Sequence, residues 1–138
     1  MYENNTIMAT ESIQLSLPLN AAYVSAARLT ASSIASRLLF DVDEIEDIKA
    51  AVSEACTFII KQAAYVDENK EFKVVFYLEP KMLTIYIEIS AGLPIANKEQ
   101  EMGLMMIKAL MDEFELVQEN PLLFSMTMVK RHKELMFD

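Results

Sequence analysis

The 138-residue chain holds one histidine, one cysteine and two glycines. Each scarcity removes a class of chemistry. With His132 as the single imidazole, a Cys/His metal cluster and a Ser-His-Asp triad both lack members. Cys56 has no partner in the chain, which excludes an internal disulfide and favours a reducing, cytoplasmic setting. Gly92 and Gly103 are not grouped, whereas loops that cradle phosphate usually cluster several glycines. Basic residues are also few: 12 Lys and Arg stand against 21 Asp and Glu, for a net charge of −9. Such a surface repels phosphate backbones and makes nucleic acid a poor partner. No apolar run is long enough to span a bilayer. The opening MYENNTIMATES has neither the basic nor the apolar region of a secretory signal.

What is present is apolar. Hydrophobic residues make up 53% of the chain and charged residues 24%, and the mean hydropathy is +0.20. A chain of this length and composition buries one sizeable core and suits one domain. The expected organisation is a disordered N-terminus over 1–12, a single domain over 13–131 and a C-terminal tail over 132–138. The ten methionines read mainly as core, with Met102 and Met105 as the candidates for exposure.

Period-two alternation of Ile13, Leu15 and Leu17 with polar residues predicts a strand that Pro18 stops. Asn20 is positioned to cap an amphipathic helix over 21–39, carried by Val24, Ala27, Ala31, Ile34 and Leu38. Asp43 and Glu46 match a capping box for a second helix over 44–65, with Ile45, Ile48, Val52, Ala55, Ile59 and Ala63 as its stripe. VDENKE reads as a polar turn. Phe72, Val74, Phe76 and Leu78 then alternate along a strand, Glu79-Pro80-Lys81 turns a hairpin, and Leu83, Ile85, Ile87 and Ile89 line one face of the next strand. A third helix follows over 99–111, with Met102, Met106, Leu110, Leu104, Ile107 and Met111 on its apolar surface. Phe114 and Leu116 begin a fourth strand, Glu119-Asn120-Pro121 turns the chain, and 122–129 form the last strand. This order predicts a two-layer α/β sandwich: a mixed, mostly antiparallel sheet with helices on one face. The other face is left exposed or serves as an interface.

Residues 16–57, SLPLNAAYVSAARLTASSIASRLLFDVDEIEDIKAAVSEACT, resemble the N-terminal half of bacterial anti-sigma-factor serine kinases. These are members of the histidine-kinase-like ATPase (GHKL, Bergerat) superfamily. GLMMIKALMDEFEL (103–116) resembles the segment after the family's ATP lid, and LLFSMTMVKR (122–131) its closing strand. The resemblance implies the histidine-kinase-like ATPase fold and a set of nucleotide-site positions. Glu54 takes the place of the residue that activates the reacting hydroxyl. Phe58, one turn later, takes the place of an asparagine that holds magnesium, and a phenyl ring cannot ligate Mg²⁺. Ser90-Ala91-Gly92 stands where the family has Asp-x-Gly, whose aspartate reads adenine. The lid is reduced to LPIANKEQEM. Glu101-Met102-Gly103 stands where Gly-x-Gly meets phosphate, and a glutamate there repels phosphate.

The altered positions are the metal ligand, the adenine reader, the lid and one glycine together. They lead to the expectation of a degenerate member with no bound cofactor and no kinase activity. Glu54 reads as a helix carboxylate in preference to a retained base, and Phe58 as filling of the emptied pocket. Gly92 and Gly103 read as turn and helix-start residues, and Cys56 as buried packing. His132, with Lys130, Arg131 and Lys133, reads as a solvated basic end. The function that the resemblance implies is protein binding in a partner-switching system. Its partners would be a sigma factor, an STAS-type anti-anti-sigma protein or both, and the chain would act as a homodimer. One alternative is an active Mg-ATP-dependent serine/threonine kinase acting on the STAS partner, with Glu54 as base. Another is a dimerising module with a pocket for a small molecule other than ATP.

Overall fold

The computed structural model describes residues 11–63, 70–93, 98–120 and 123–133. Residues 1–10 of the expected disordered N-terminus, most of the VDENKE turn, residues 94–97 of the short lid and the last five residues lie outside these. Glu11 and Ser12, expected in that N-terminus, instead begin the first strand because they pair with Leu78 and Tyr77. The elements are β1 (Glu11–Pro18), a 3₁₀ turn (Ala21–Tyr23), α1 (Val24–Arg37), α2 (Val42–Ala63), β2 (Glu71–Glu79), β3 (Met82–Ile89), α3 (Lys98–Leu110), β4 (Glu113–Asn120) and β5 (Leu123–Arg131). The five strands form one sheet in the order β1-β2-β3-β5-β4. Every pairing in it is antiparallel. The sheet is thus the antiparallel limit of the mixed arrangement expected from the element order.

One face of the sheet and the inner stripes of the helices make a single core. Phe72, Val74 and Phe76 of β2, Leu83, Ile85 and Ile87 of β3, and Phe124, Met126 and Met128 of β5 are all buried there. They meet Ala27, Ala31 and Ile34 of α1, Ile48, Val52, Ala55 and Ile59 of α2, and Ile107 of α3. The small residues of α1 let it lie close against α2, as their spacing predicts. On α3, Met102 and Met105 are 68% and 66% exposed. Met106 corrects the expected stripe: it is 48% exposed, and the inner positions are Ile107 and Met111.

The helix starts follow local hydrogen-bond needs. Asn20 accepts from Ala22 N through Oδ1 at 2.9 Å and so starts the 3₁₀ turn that leads into α1. At the end of α1, Leu39 adopts φ 66°. Leu39 N donates to Ser36 O and Phe40 N to Ala35 O, the pattern of a Schellman cap. The capping box of α2 is formed by Asp41 and Glu44, two residues earlier than the Asp43–Glu46 pair. Glu44 N donates to Asp41 Oδ1 at 2.8 Å, and Asp41 N donates to Glu44 Oε1 at 2.9 Å. Both pairs satisfy the same spacing. The Schellman turn makes Asp41 the residue at which the chain enters the helix.

Candidate functional site

The positions singled out in the sequence lie on three elements. Glu54 and Phe58 are one turn apart on α2, Ser90 and Gly92 follow β3, and Gly103 is on α3. The fold brings two of them into direct proximity. A methyl group on Gly103 would sit 2.8 Å from Glu54 Oε1. The backbone of α3 therefore approaches the half-buried Glu54 carboxylate more closely than any larger residue permits without moving it.

Phe58 is only 7% exposed. Its ring stacks on Phe124 with centroids 5.7 Å apart and an interplanar angle of 23°. Phe124 pairs with Ile89 at the end of β3, so the stack lies beside the strand end from which the Ser90 turn leaves. Ala91 N donates to Ile89 O at 2.9 Å, which tightens that turn. Ser90 is exposed, while Ala91 and Leu93 are buried. Leu93 N donates to Gln118 Oε1 and Gln118 Nε2 to Leu123 O, both at 3.1 Å, pinning the loop to the β4–β5 side. Neither Phe124 nor Gln118 was identified as a site residue from the sequence. Phe124 was visible only as a member of the last strand, 122–129.

Magnesium and ATP are the groups the fold family implies, and the described residues fit them poorly. At Phe58, where the resemblance implies an oxygen ligand, an apolar ring is stacked on a second ring. A magnesium–phosphate centre needs several oxygen donors with water in near-octahedral order. What the arrangement provides instead is an apolar contact between α2 and β5.

Two other ionisable groups sit where the sequence reading did not place them. Lys130, expected in a solvated tail, is 6% exposed. Its Nζ donates to Leu110 O at 2.6 Å and to Asp47 Oδ2 at 3.3 Å, joining the C-terminus of α3 to α2. A cation is favoured at that helix end. His132 is also docked: Nδ1 lies 2.7 Å from Glu44 Oε1, and the ring meets Phe40 edge-on. Lys133 N donates to Glu44 Oε2 at 2.8 Å. Burial raises the Glu44 carboxyl pKa, but the N–H donors of Asp41 and Lys133 and the His132 ring together outweigh it and hold the group below its ordinary value of 4.5. Arg131 pairs with Glu113 and is solvent-exposed. The expected solvated basic end is therefore corrected for Lys130 and His132, because a buried carboxylate and a helix C-terminus give them partners. Cys56 is fully buried as expected, and desolvation pushes its thiol up to about 12.

Comparison with known proteins agrees with this architecture. The pattern of the histidine kinase-like ATPase domain matches residues 17–130. The serine-protein kinase RsbW of Halalkalibacterium halodurans is 32% identical over 143 residues, covering 91% of this chain and 87% of that protein. RsbW of Bacillus cereus strain B4264 is 33% identical over 135 residues, covering 85% and 84%. Among solved structures, the RsbU and RsbW domains of Rv1364c from Mycobacterium tuberculosis align with a TM-score of 0.72 at 18% identity. That match covers 88% of this chain but only 32% of the larger one. A chain of the SiaB–SiaC complex from Pseudomonas aeruginosa aligns with a TM-score of 0.68 at 15% identity, covering 85% and 88%. At those identities the two structures speak to the fold. No helix among the described residues is long and apolar enough to cross a membrane.

Proposed function

The chain belongs to the histidine kinase-like ATPase domain family, and from that premise we propose that it is an anti-sigma-like regulator working by protein–protein binding. Its partners are a sigma factor, an STAS-type anti-anti-sigma protein or both, and it acts where partners compete for one surface. The single observation that carries this reading is the Phe58–Phe124 stack. Phosphoryl transfer depends on a metal and on backbone donors that neutralise phosphate charge. A phenyl ring at the metal-ligand position, sealed by a second ring, supplies neither. Glu54, at the family's base position, is then a helix carboxylate packed beside Gly103. Ser90, Gly92 and Gly103 are turn and packing residues, and the protein needs no bound cofactor. Exchange between partners follows from differences in affinity and concentration.

A second reading has one specific observation in its favour. Relatives at 32–33% identity are named serine-protein kinases, and Glu54 is retained. In that reading the chain binds Mg-ATP and phosphorylates a serine of the STAS partner. The test mixes the purified chain with an STAS-type protein and with a sigma factor, each with and without Mg-ATP. The proposal expects complexes whose affinity does not change with nucleotide and partners whose intact mass is unchanged. A phosphoryl-group mass gain on the STAS protein overturns it in favour of the kinase reading.

A further inference from the structure

We propose that Met102, Met105 and Met106 form an oxidation site, at which a hydroperoxide converts three thioethers to sulfoxides and turns the outer face of α3 polar. The three side chains are 68%, 66% and 48% exposed. They stand at i, i+3 and i+4, with exposed Ala109 at i+7, so all four share one face of the helix. A different face holds α3 to the rest of the fold. There Ile107 and Met111 are buried, and Leu104 and Leu110 pack against the core. The helix thus carries a second apolar stripe, and this one faces solvent.

Access sorts the sulfur atoms of the chain. Met126 and Met128 are 0% exposed and Met111 is 6% exposed, while Met82 is half-buried. Cys56 is fully buried, and its thiol, pushed up to about 12, offers little thiolate to a peroxide. Among the described residues the α3 methionines are therefore the exposed sulfurs. In the reaction a thioether lone pair attacks the outer oxygen of the hydroperoxide. An S–O bond forms as the O–O bond breaks, and the other oxygen takes the proton and leaves as water or an alcohol. Each sulfur gives up two electrons and the peroxide gains them. The product side chain is polar, and a sulfoxide reductase returns it to the thioether. Because the core-facing side of α3 is untouched, oxidation changes the surface and leaves the fold in place.

The sequence supplies its own control for the test. Cleavage after lysine yields EQEMGLMMIK, residues 99–108, with the three exposed methionines, and the adjoining segment 109–130 with Met111, Met126 and Met128. The full chain is treated with graded hydrogen peroxide, quenched, digested and mapped by mass. Segment 99–108 should gain up to one oxygen per sulfur about tenfold faster than 109–130, because oxidation follows exposure. In denaturant the two rates should converge. The oxidised chain should elute earlier from a hydrophobic-interaction column, and methionine sulfoxide reductases should restore its retention. A variant with Met102→Leu, Met105→Leu and Met106→Leu keeps the apolar stripe without the sulfurs, so peroxide should leave its retention unchanged. Melting should be the same for the parent, the variant and the oxidised parent, since the altered groups are exposed. Equal rates for the two segments in the native chain overturn the proposal. So does an oxidised parent whose retention does not change. A fall in melting temperature that tracks oxidation of 99–108 also overturns it, because the reaction then damages the fold instead of resetting the surface.

Discussion

Replacing Glu44 by glutamine keeps the shape of the side chain and exchanges one accepting oxygen for a donor. In the parent, Oε1 accepts from Asp41 N at 2.9 Å and lies 2.7 Å from His132 Nδ1, while Oε2 accepts from Lys133 N at 2.8 Å. The carboxylate is 3% exposed, so water cannot replace a lost contact. A hydrogen bond to a charged group contributes roughly 1.5–3 kcal/mol, and a buried donor left without an acceptor costs roughly 1–3 kcal/mol. Because the surviving oxygen keeps part of the network, Glu44→Gln should lose about 2–4 kcal/mol and lower the melting temperature by about 5–15 °C. The pH dependence gives the sharper check. The folded Glu44 carboxyl titrates below its ordinary value of 4.5. Its contribution is therefore fully present above that value and is lost as pH falls through the folded pKa. Glutamine does not titrate, so the gap between parent and variant should narrow on acidification. Urea unfolding of both proteins at neutral pH and at about pH 3.5 measures it. A neutral-pH difference under about 0.5 kcal/mol, or a gap that does not narrow in acid, refutes the reasoning.

Three further outcomes follow from the same contacts. Phe58→Ala removes one ring of the Phe58–Phe124 stack and should destabilise by about 3–5 kcal/mol in chemical denaturation, as other buried phenylalanines do. Lys130→Met keeps the buried stem of the side chain but strips Leu110 O and Asp47 of a donor. It should cost about 1–3 kcal/mol, and hydrogen exchange should quicken at the C-terminal turn of α3. Cys56, with its thiol near 12, should resist a thiol reagent at neutral pH in the native protein and react at once in denaturant.

The strands were legible because burial on one face imposes a period of two. Phe72, Val74, Phe76 and Leu78 are all buried, and the residues between them are not. The long stripe of α2 was legible for the matching reason at a period of 3.6. The capping box was misplaced because Asp41–Glu44 and Asp43–Glu46 offer the same residues at the same spacing. What separates them is the backbone turn at Leu39, where a leucine occupies a conformation usually given to glycine. The docking of His132 was hidden for a different reason. Its partner Glu44 lies 88 residues away, and a basic stretch near a chain end carries no local sign of a buried carboxylate. The candidate site divides along the same line. That Phe58 cannot hold magnesium follows from its chemistry alone. That it stacks on Phe124, and that Gly103 lies against Glu54, depends on how β5 and α3 pack on α2, which no short-range pattern encodes.

The central claim is that the family's nucleotide site is closed by the chain's own side chains. It is tested most directly by isothermal titration of the purified protein with ATP, in magnesium and again in a chelator, up to millimolar nucleotide. The account predicts no saturable heat in either condition, with melting temperatures that do not move. Saturable binding that depends on magnesium, with the rise in apparent stability that linkage then requires, would contradict it.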